Sequence, residues 1–302
     1  MCGESDTVTE ILSDDVIVGN FSSLNSEISH AETEIKLDKD YTYDSATDSS
    51  FGNGIEISKD NFVVDGQGHT LNGANQARVF NIVANNVTLK NIKFKSGNVY
   101  ENGGAAYFDN DGEVINCSFE NSVSRSGSTN QDGGGAIFFN QSGIITDSRF
   151  YENSGMSGGA VIILGNGNLT NCIFMDNSAR YGGGIYIYNN GTLVNCTFSS
   201  NDAILGGGAA WIVGCGTVEN CSFLDNEVTM QGQSQGAATA GALFLGEYSY
   251  VIDCNFEGNK MMGSGWGEVI VFMRNGVLDN SKFIRNGNSK ANIIYFESTG
   301  TV

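Results

Sequence analysis

The sequence predicts an all-β chain folded as a right-handed parallel β-helix, with a short helical cap at its amino-terminal end. Three observations predict it. The phrase Asn/Asp-x-x-Phe returns eight times at a base spacing near 24 residues, and an apolar run opened by glycine returns about once per period. The composition, with 41 Gly, 35 Asn and no Pro in 302 residues, suits strands joined by tight turns better than long helices. A unit of this length with about three short strands cannot bury its own apolar face, so copies stack and each strand pairs with its equivalents above and below.

In chain order, residues 1–50 read as an amino-terminal cap and lead-in strand, and residues 51–302 as a solenoid of about nine coils. Met1-Cys2-Gly3 followed by Glu4-Ser5-Asp6 fits a mature lipoprotein end with the lipid on Cys2, the alternative being an ordinary trimmed terminus. Phe21, Leu24 and Ile28 share one helical face behind a serine cap, which makes a short amphipathic helix suited to covering the first coil. Phe62 to Leu71 reads as a first coil, with His69 as a hydrogen-bonded residue of the Asp65-Gly66-Gln67-Gly68-His69 turn.

The repeat proper is clearest at Asn116-Cys117-Ser118-Phe119, Asp147-Ser148-Arg149-Phe150, Asn171-Cys172-Ile173-Phe174, Asn195-Cys196-Thr197-Phe198, Asn220-Cys221-Ser222-Phe223 and Asp253-Cys254-Asn255-Phe256. Cys and Phe are two apart and so share one strand face, pointing inward. The aliphatic residues Leu89, Val114, Ile145, Leu169, Leu193, Val218, Val251 and Leu278 stand three before the Cys position, which breaks the two-residue alternation. The chain must therefore bend at the intervening Asn or Asp, and Asn tolerates left-handed backbone better than other non-glycine residues. Side-chain amides of Asn171, Asn195 and Asn220 can then hydrogen-bond from coil to coil. The Cys column, with Ile92, Ser148 and Ser281 filling it elsewhere, asks for small buried residues, so Cys172, Cys196, Cys221 and Cys254 read as packed free thiols, with disulfides as the alternative.

The strand after the glycine pair is apolar on both faces. Its alternate columns read Tyr107, Phe138, Ile162, Ile187, Trp211, Phe244, Ile270, Ile294 and Phe108, Phe139, Ile163, Tyr188, Ile212, Leu245, Val271, Tyr295, one of which must face outward. An outward apolar stripe marks either an interaction surface or a place covered by a loop. Two insertions, Ser122 to Asp132 and Glu227 to Ala240, fall at the same turn just before this strand. Insertions on one face of a solenoid commonly form its binding face. Tyr107, Phe138, Trp211 and Phe244 beside Arg125, Gln131, Gln231 and Gln233 are accordingly the candidate binding residues, suited to sugar rings.

Charge narrows the partners. With 15 Lys and Arg against 34 Asp and Glu the net charge is −19, which excludes nucleic acid on electrostatic grounds, and no apolar run is long enough for a spanning helix. Only two His are present, and no cofactor is implied; Asp109 and Asp111 around Asn110 are a candidate calcium site, with a solvated turn as the alternative. Sequons at Asn140 and Asn190 lie at turns open to glycosylation.

The alternation of Gly-Gly-Ala-Ile segments with Phe-x-x-Asn, as in Phe150 to Asn153, Phe174 to Asn177 and Phe223 to Asn226, resembles the repeats of chlamydial polymorphic outer-membrane proteins. With Val64-Asp65-Gly66-Gln67-Gly68-His69 it resembles still more closely the adhesin-like surface proteins of methanogenic archaea, over roughly residues 50 to 300. That resemblance implies an extracellular, surface-held β-helix that attaches to polysaccharide or to a cell-surface protein, and no catalysis. The chain departs from it in lacking an anchoring tail and in placing Glu268 and Asn292 where a small residue belongs. Pectin-lyase-type β-helices also house polysaccharide lyases and hydrolases, so a degradative enzyme is the first alternative, although no recurring acid pair is visible. A structural stalk, or self-association through the apolar strand face or the uncapped carboxy-terminal coil, is the second.

Overall fold

The computed structural model describes residues 18–229, 240–262, 266–287 and 292–302, and its fold is a right-handed parallel β-solenoid of about 11 turns. Three long parallel sheets run its length, with 11, 10 and 11 strands. One carries the Phe column, one follows the glycine pair, and one carries the aliphatic column. The Phe and aliphatic sheets begin before residue 50: Glu34–Lys36 and Asp40–Thr42 already pair with Val63–Asp65 and Thr70–Asn72. The amino-terminal segment thus adds coils to the nine counted from the repeat.

The helix α1, Phe21–His30, buries Phe21, Leu24 and Ile28 against the first coils. Its cap is Asn20 rather than a serine. The Asn20 side chain accepts from the Ser23 amide at 2.9 Å while the Ser23 hydroxyl accepts from the Asn20 amide at 3.0 Å, and Asp48 takes the next free amides, those of Phe21 and Ser22.

Inside the solenoid each column stacks on itself. Phe94, Phe119, Phe150, Phe174, Phe198, Phe223, Phe256 and Phe283 form one pile, with centroids 4.5 to 5.2 Å apart and planes within 6° of parallel. This spacing is that of adjacent strands, so the rings stack because the strands do. The bend residues Asn91, Asn116, Asp147, Asn171, Asn195, Asn220, Asp253 and Asn280 all have positive φ, between 44° and 56°. Their side chains form an outer ladder in which Asn116 donates to Asn91 at 2.8 Å and Asn195 to Asn171 at 3.2 Å.

The six described cysteines are free thiols, and all but Cys215 are buried. Within the Cys column each thiol donates to the carbonyl two residues back, as Cys117 does to Ile115 at 3.3 Å. Ser148 reproduces that bond with its hydroxyl, to Thr146 at 2.8 Å, which explains why serine replaces cysteine there. Burial pushes the Cys117 thiol up to about 12.

A second, fully buried ladder lies three residues past Phe150, Phe174, Phe198, Phe223 and Phe256, at Asn153, Asn177, Asn201, Asn226 and Asn259. Each side-chain amide donates to the next Asn and to a Phe carbonyl; Asn177, for example, reaches Asn201 Oδ1 at 3.0 Å and the Phe150 carbonyl at 3.1 Å. The Phe-x-x-Asn phrase contained this ladder without revealing its role.

Candidate binding groove

The strands after the glycine pair present the face on which a site can be built, and their register decides which side chains point out. Two alignments read from the sequence are corrected here. At Gly182-Gly183-Gly184 the pair is the first two glycines: Gly182 has φ 61°, matching Gly158 and Gly207, and a Cβ on Gly183 would strike the Gly208 carbonyl of the next coil. Ile187 therefore points inward and Tyr186 outward. At the second, a register irregularity between Gly267 and Ile270 turns Ile270 and Ile294 inward and places Val271 and Tyr295 outside. The outward column is thus Tyr107, Phe138, Ile162, Tyr186, Trp211, Phe244, Val271 and Tyr295.

This column is mostly covered. Phe138, Ile162 and Tyr186 are buried together, flanked by Leu164, Tyr181 and Val213, and Phe244 and Val271 are buried beside Trp266 and Met273. The rings also stack on one another: Trp211 lies 3.8 Å from Phe244 at 21°, and Tyr107 lies 5.4 Å from Phe138 at 11°. Their faces are used within the column, so a ligand meets mainly their edges.

Two concavities open along this face. The larger, of about 670 Å³, is floored by Tyr186, Trp211, Val213 and Phe244 and rimmed by Asn130, Tyr188, Glu247, Arg274 and Glu297. Arg274 Nε lies 3.9 Å from Glu247. The smaller, of about 440 Å³, is lined by Arg78, Tyr100, Glu101 and Tyr107 among others. Arg78 is 2% exposed, and its guanidinium donates to the carbonyls of Asn53, Asn102 and Gly103 and to Asn81 and Glu101. All five of its N–H groups are taken, which makes Arg78 a brace for the glycine turn and leaves none free for a ligand. The Tyr107 hydroxyl donates to Asp109 at 3.0 Å; burial first, then that bond, pushes its phenol up to about 12.

Of the residues selected from the sequence, Trp211 and Phe244 line the larger concavity and Tyr107 the smaller, whereas Phe138 is 2% exposed and lines neither. Arg125 is exposed, held over the Tyr100 ring at 5.4 Å and donating to Asn98 at 3.0 Å. Gln131 does not line the groove, its backbone N–H donating to the Thr129 hydroxyl, and Asn130 beside it lines the groove instead. Gln231 and Gln233 lie outside the described residues. Asp109 is occupied by Tyr107 and Asn140, and Asp111 by the Ser142 amide. Among the described residues no three His, Cys, Asp or Glu side chains gather as metal ligands would. His69 holds its turn as expected, with Nδ1 3.1 Å from Asp40. Sequence reasoning missed Tyr186 because the glycine triplet hid its register.

Comparison with known proteins agrees on fold. No protein-family model and no curated protein matches the sequence. Among solved structures, an alginate lyase in complex with G6 is 12% identical with a TM-score of 0.52, over 95% of this chain and 64% of that one. A PL6 alginate lyase in complex with a trisaccharide is 13% identical with a TM-score of 0.49, over 89% of this chain and 61% of that one. This chain therefore spans less than two thirds of either, and the likeness to the alginate lyase in complex with G6 establishes a shared parallel β-helix. No described helix is long and apolar enough to cross a membrane.

Proposed function

We propose that this chain is an extracellular, surface-held binding module of adhesin type, which holds a polysaccharide in the groove above Trp211 without cleaving it. The observation that carries the reading is the groove itself: an aromatic floor spanning several coils, with amide, hydroxyl and charged groups on its rim. Apolar surface with a few polar groups is what sugar recognition uses, and a solenoid repeats it along an extended chain. The likeness in fold to an alginate lyase solved in complex with G6 supports carbohydrate as the ligand class. Surface location and adhesion rest on the repeat's resemblance to adhesin-like proteins.

The second reading is a degradative enzyme. It is favoured by Glu247 and Glu297 lining one groove, since glycoside hydrolysis uses a pair of carboxylates. One assay separates the two readings: pull-down of cell-wall and plant polysaccharides, with each supernatant tested for new reducing or unsaturated ends. Binding without new ends, lost in Trp211→Ala, is the result expected. New ends would make this an enzyme, and neither binding nor cleavage would leave a structural or protein-binding stalk.

A further inference from the structure

Tyr186 is 1% exposed, lines the groove, and its hydroxyl has no hydrogen-bond partner among the described residues. The ladder does not require that hydroxyl, because Ile162 and Phe244 fill the same column in nearby coils. Tyr107, also in the column, shows how the fold satisfies a hydroxyl there: Asp109, two residues on, accepts it. In the Tyr186 coil the equivalent position is Tyr188, which places no carboxylate there. The hydroxyl is not among the sealed, partnerless atoms of the described core, which belong to Ser122, Ser157 and Asp202; it opens onto the groove, where water or a ligand can bond to it.

The charge around it limits what that can be. Glu247 and Glu297 face one arginine, Arg274, which already lies beside Glu247, and the whole chain carries −19. A polyuronate or sulfated chain would be repelled at long range and, among the described residues lining the groove, would meet two carboxylates and one arginine, Arg274, that already faces Glu247. A neutral sugar chain meets no such barrier, and its hydroxyls can both donate and accept.

Building on the polysaccharide-binding reading above, we propose that the groove selects neutral, hydroxyl-bearing glycans over polyuronates, and that the Tyr186 hydroxyl hydrogen-bonds the bound sugar. The test is calorimetric titration of the whole chain and of Tyr186→Phe and Trp211→Ala with cellohexaose, mannohexaose, xylohexaose and an alginate hexamer, at low and moderate salt, alongside thermal unfolding.

The proposal expects at least one neutral hexamer to bind with little salt dependence, and alginate not to bind at low salt. It expects Tyr186→Phe to weaken binding roughly tenfold, the scale of one lost hydrogen bond, with an unfolding midpoint unchanged or raised. A lowered midpoint with unchanged affinity would give the hydroxyl a structural role and overturn the proposal, while loss of binding in Trp211→Ala would leave the groove reading standing. Tighter, salt-sensitive binding of alginate would overturn the selectivity alone. Failure of the wild-type chain to bind any hexamer would overturn the groove reading together with the proposal.

Discussion

Asn177 Nδ2 donates to Asn201 Oδ1 at 3.0 Å, and neither side chain is exposed to solvent. Asn201 in turn donates to Asn226 and to the Phe174 carbonyl, so one side chain satisfies groups in several coils. Replacing it with Ala takes the acceptor from the Asn177 backbone amide and removes one bond each from the Phe174 carbonyl, Asn226 Oδ1 and Asn177 Nδ2 in the core. Asn201→Ala is expected to cost about 2 to 4 kcal/mol, read as a lower denaturant midpoint in equilibrium unfolding. A loss under about 0.5 kcal/mol would mean the ladder contributes little.

The outer ladder behaves differently, because its demand is on the backbone. Asn195 has φ 55° and its side chain is exposed. Asn195→Gly is expected to shift stability by less than about 1 kcal/mol, since glycine adopts this geometry freely and only two exposed amide bonds, to Asn171 and from Asn220, are lost. Asn195→Val is expected to cost about 1 to 2 kcal/mol more, a β-branched residue being strained there. Thermal unfolding of the two variants side by side measures the difference.

These two ladders show how far the sequence could be read. The Phe, aliphatic and Cys columns were legible because each is chemically uniform, and the bend because a three-residue step cannot fit a strand. The buried Asn ladder was visible only as a recurring letter, since a polar residue three past Phe reads equally well as a solvated turn. At Gly182 to Gly184 three glycines permit two registers, and only the fit against the coils on either side chooses Tyr186 as the outward residue. Trp211 was legible as a binding candidate, whereas burial of Phe138 depends on flanking side chains from other coils, which no local pattern encodes.

The Cys column tests whether small size or sulfur chemistry is what the position requires. Ser148 and Ser281 occupy it and bond as the thiols do. Cys196→Ser is expected to stay within about 1 kcal/mol of the parent, whereas Cys196→Leu overpacks the column and costs about 1 to 3 kcal/mol. A serine variant that fails to fold would point to a role for the thiol that packing does not explain.

Asp202 predicts a pH dependence. Burial, aided by Glu227 in the next coil, pushes its carboxyl up to about 6 from an ordinary value of 3.8, and Oδ1 is buried without a partner. Between those values the folded chain holds a proton that the unfolded chain has released. This group's penalty is therefore absent below about pH 4, grows as pH rises, and is complete above about pH 6. Asp202→Asn should raise stability at pH 8 by on the order of 1 kcal/mol and leave it nearly unchanged at pH 4. Thermal melts at the two pH values check it; an equal effect at both would refute the ionisation argument.

The account rests on a sugar chain lying against Trp211, and the protein supplies its own reporter. Its two tryptophans, Trp211 and Trp266, both belong to the apolar cluster around Phe244. In a Trp266→Phe variant, fluorescence reports on Trp211 alone. Titration with the neutral hexamer that binds the chain should give a saturable shift in emission, protection from iodide quenching, and the same affinity as calorimetry. Calorimetric binding with no change in Trp211 emission or quenching would place the ligand elsewhere on the solenoid and contradict the account.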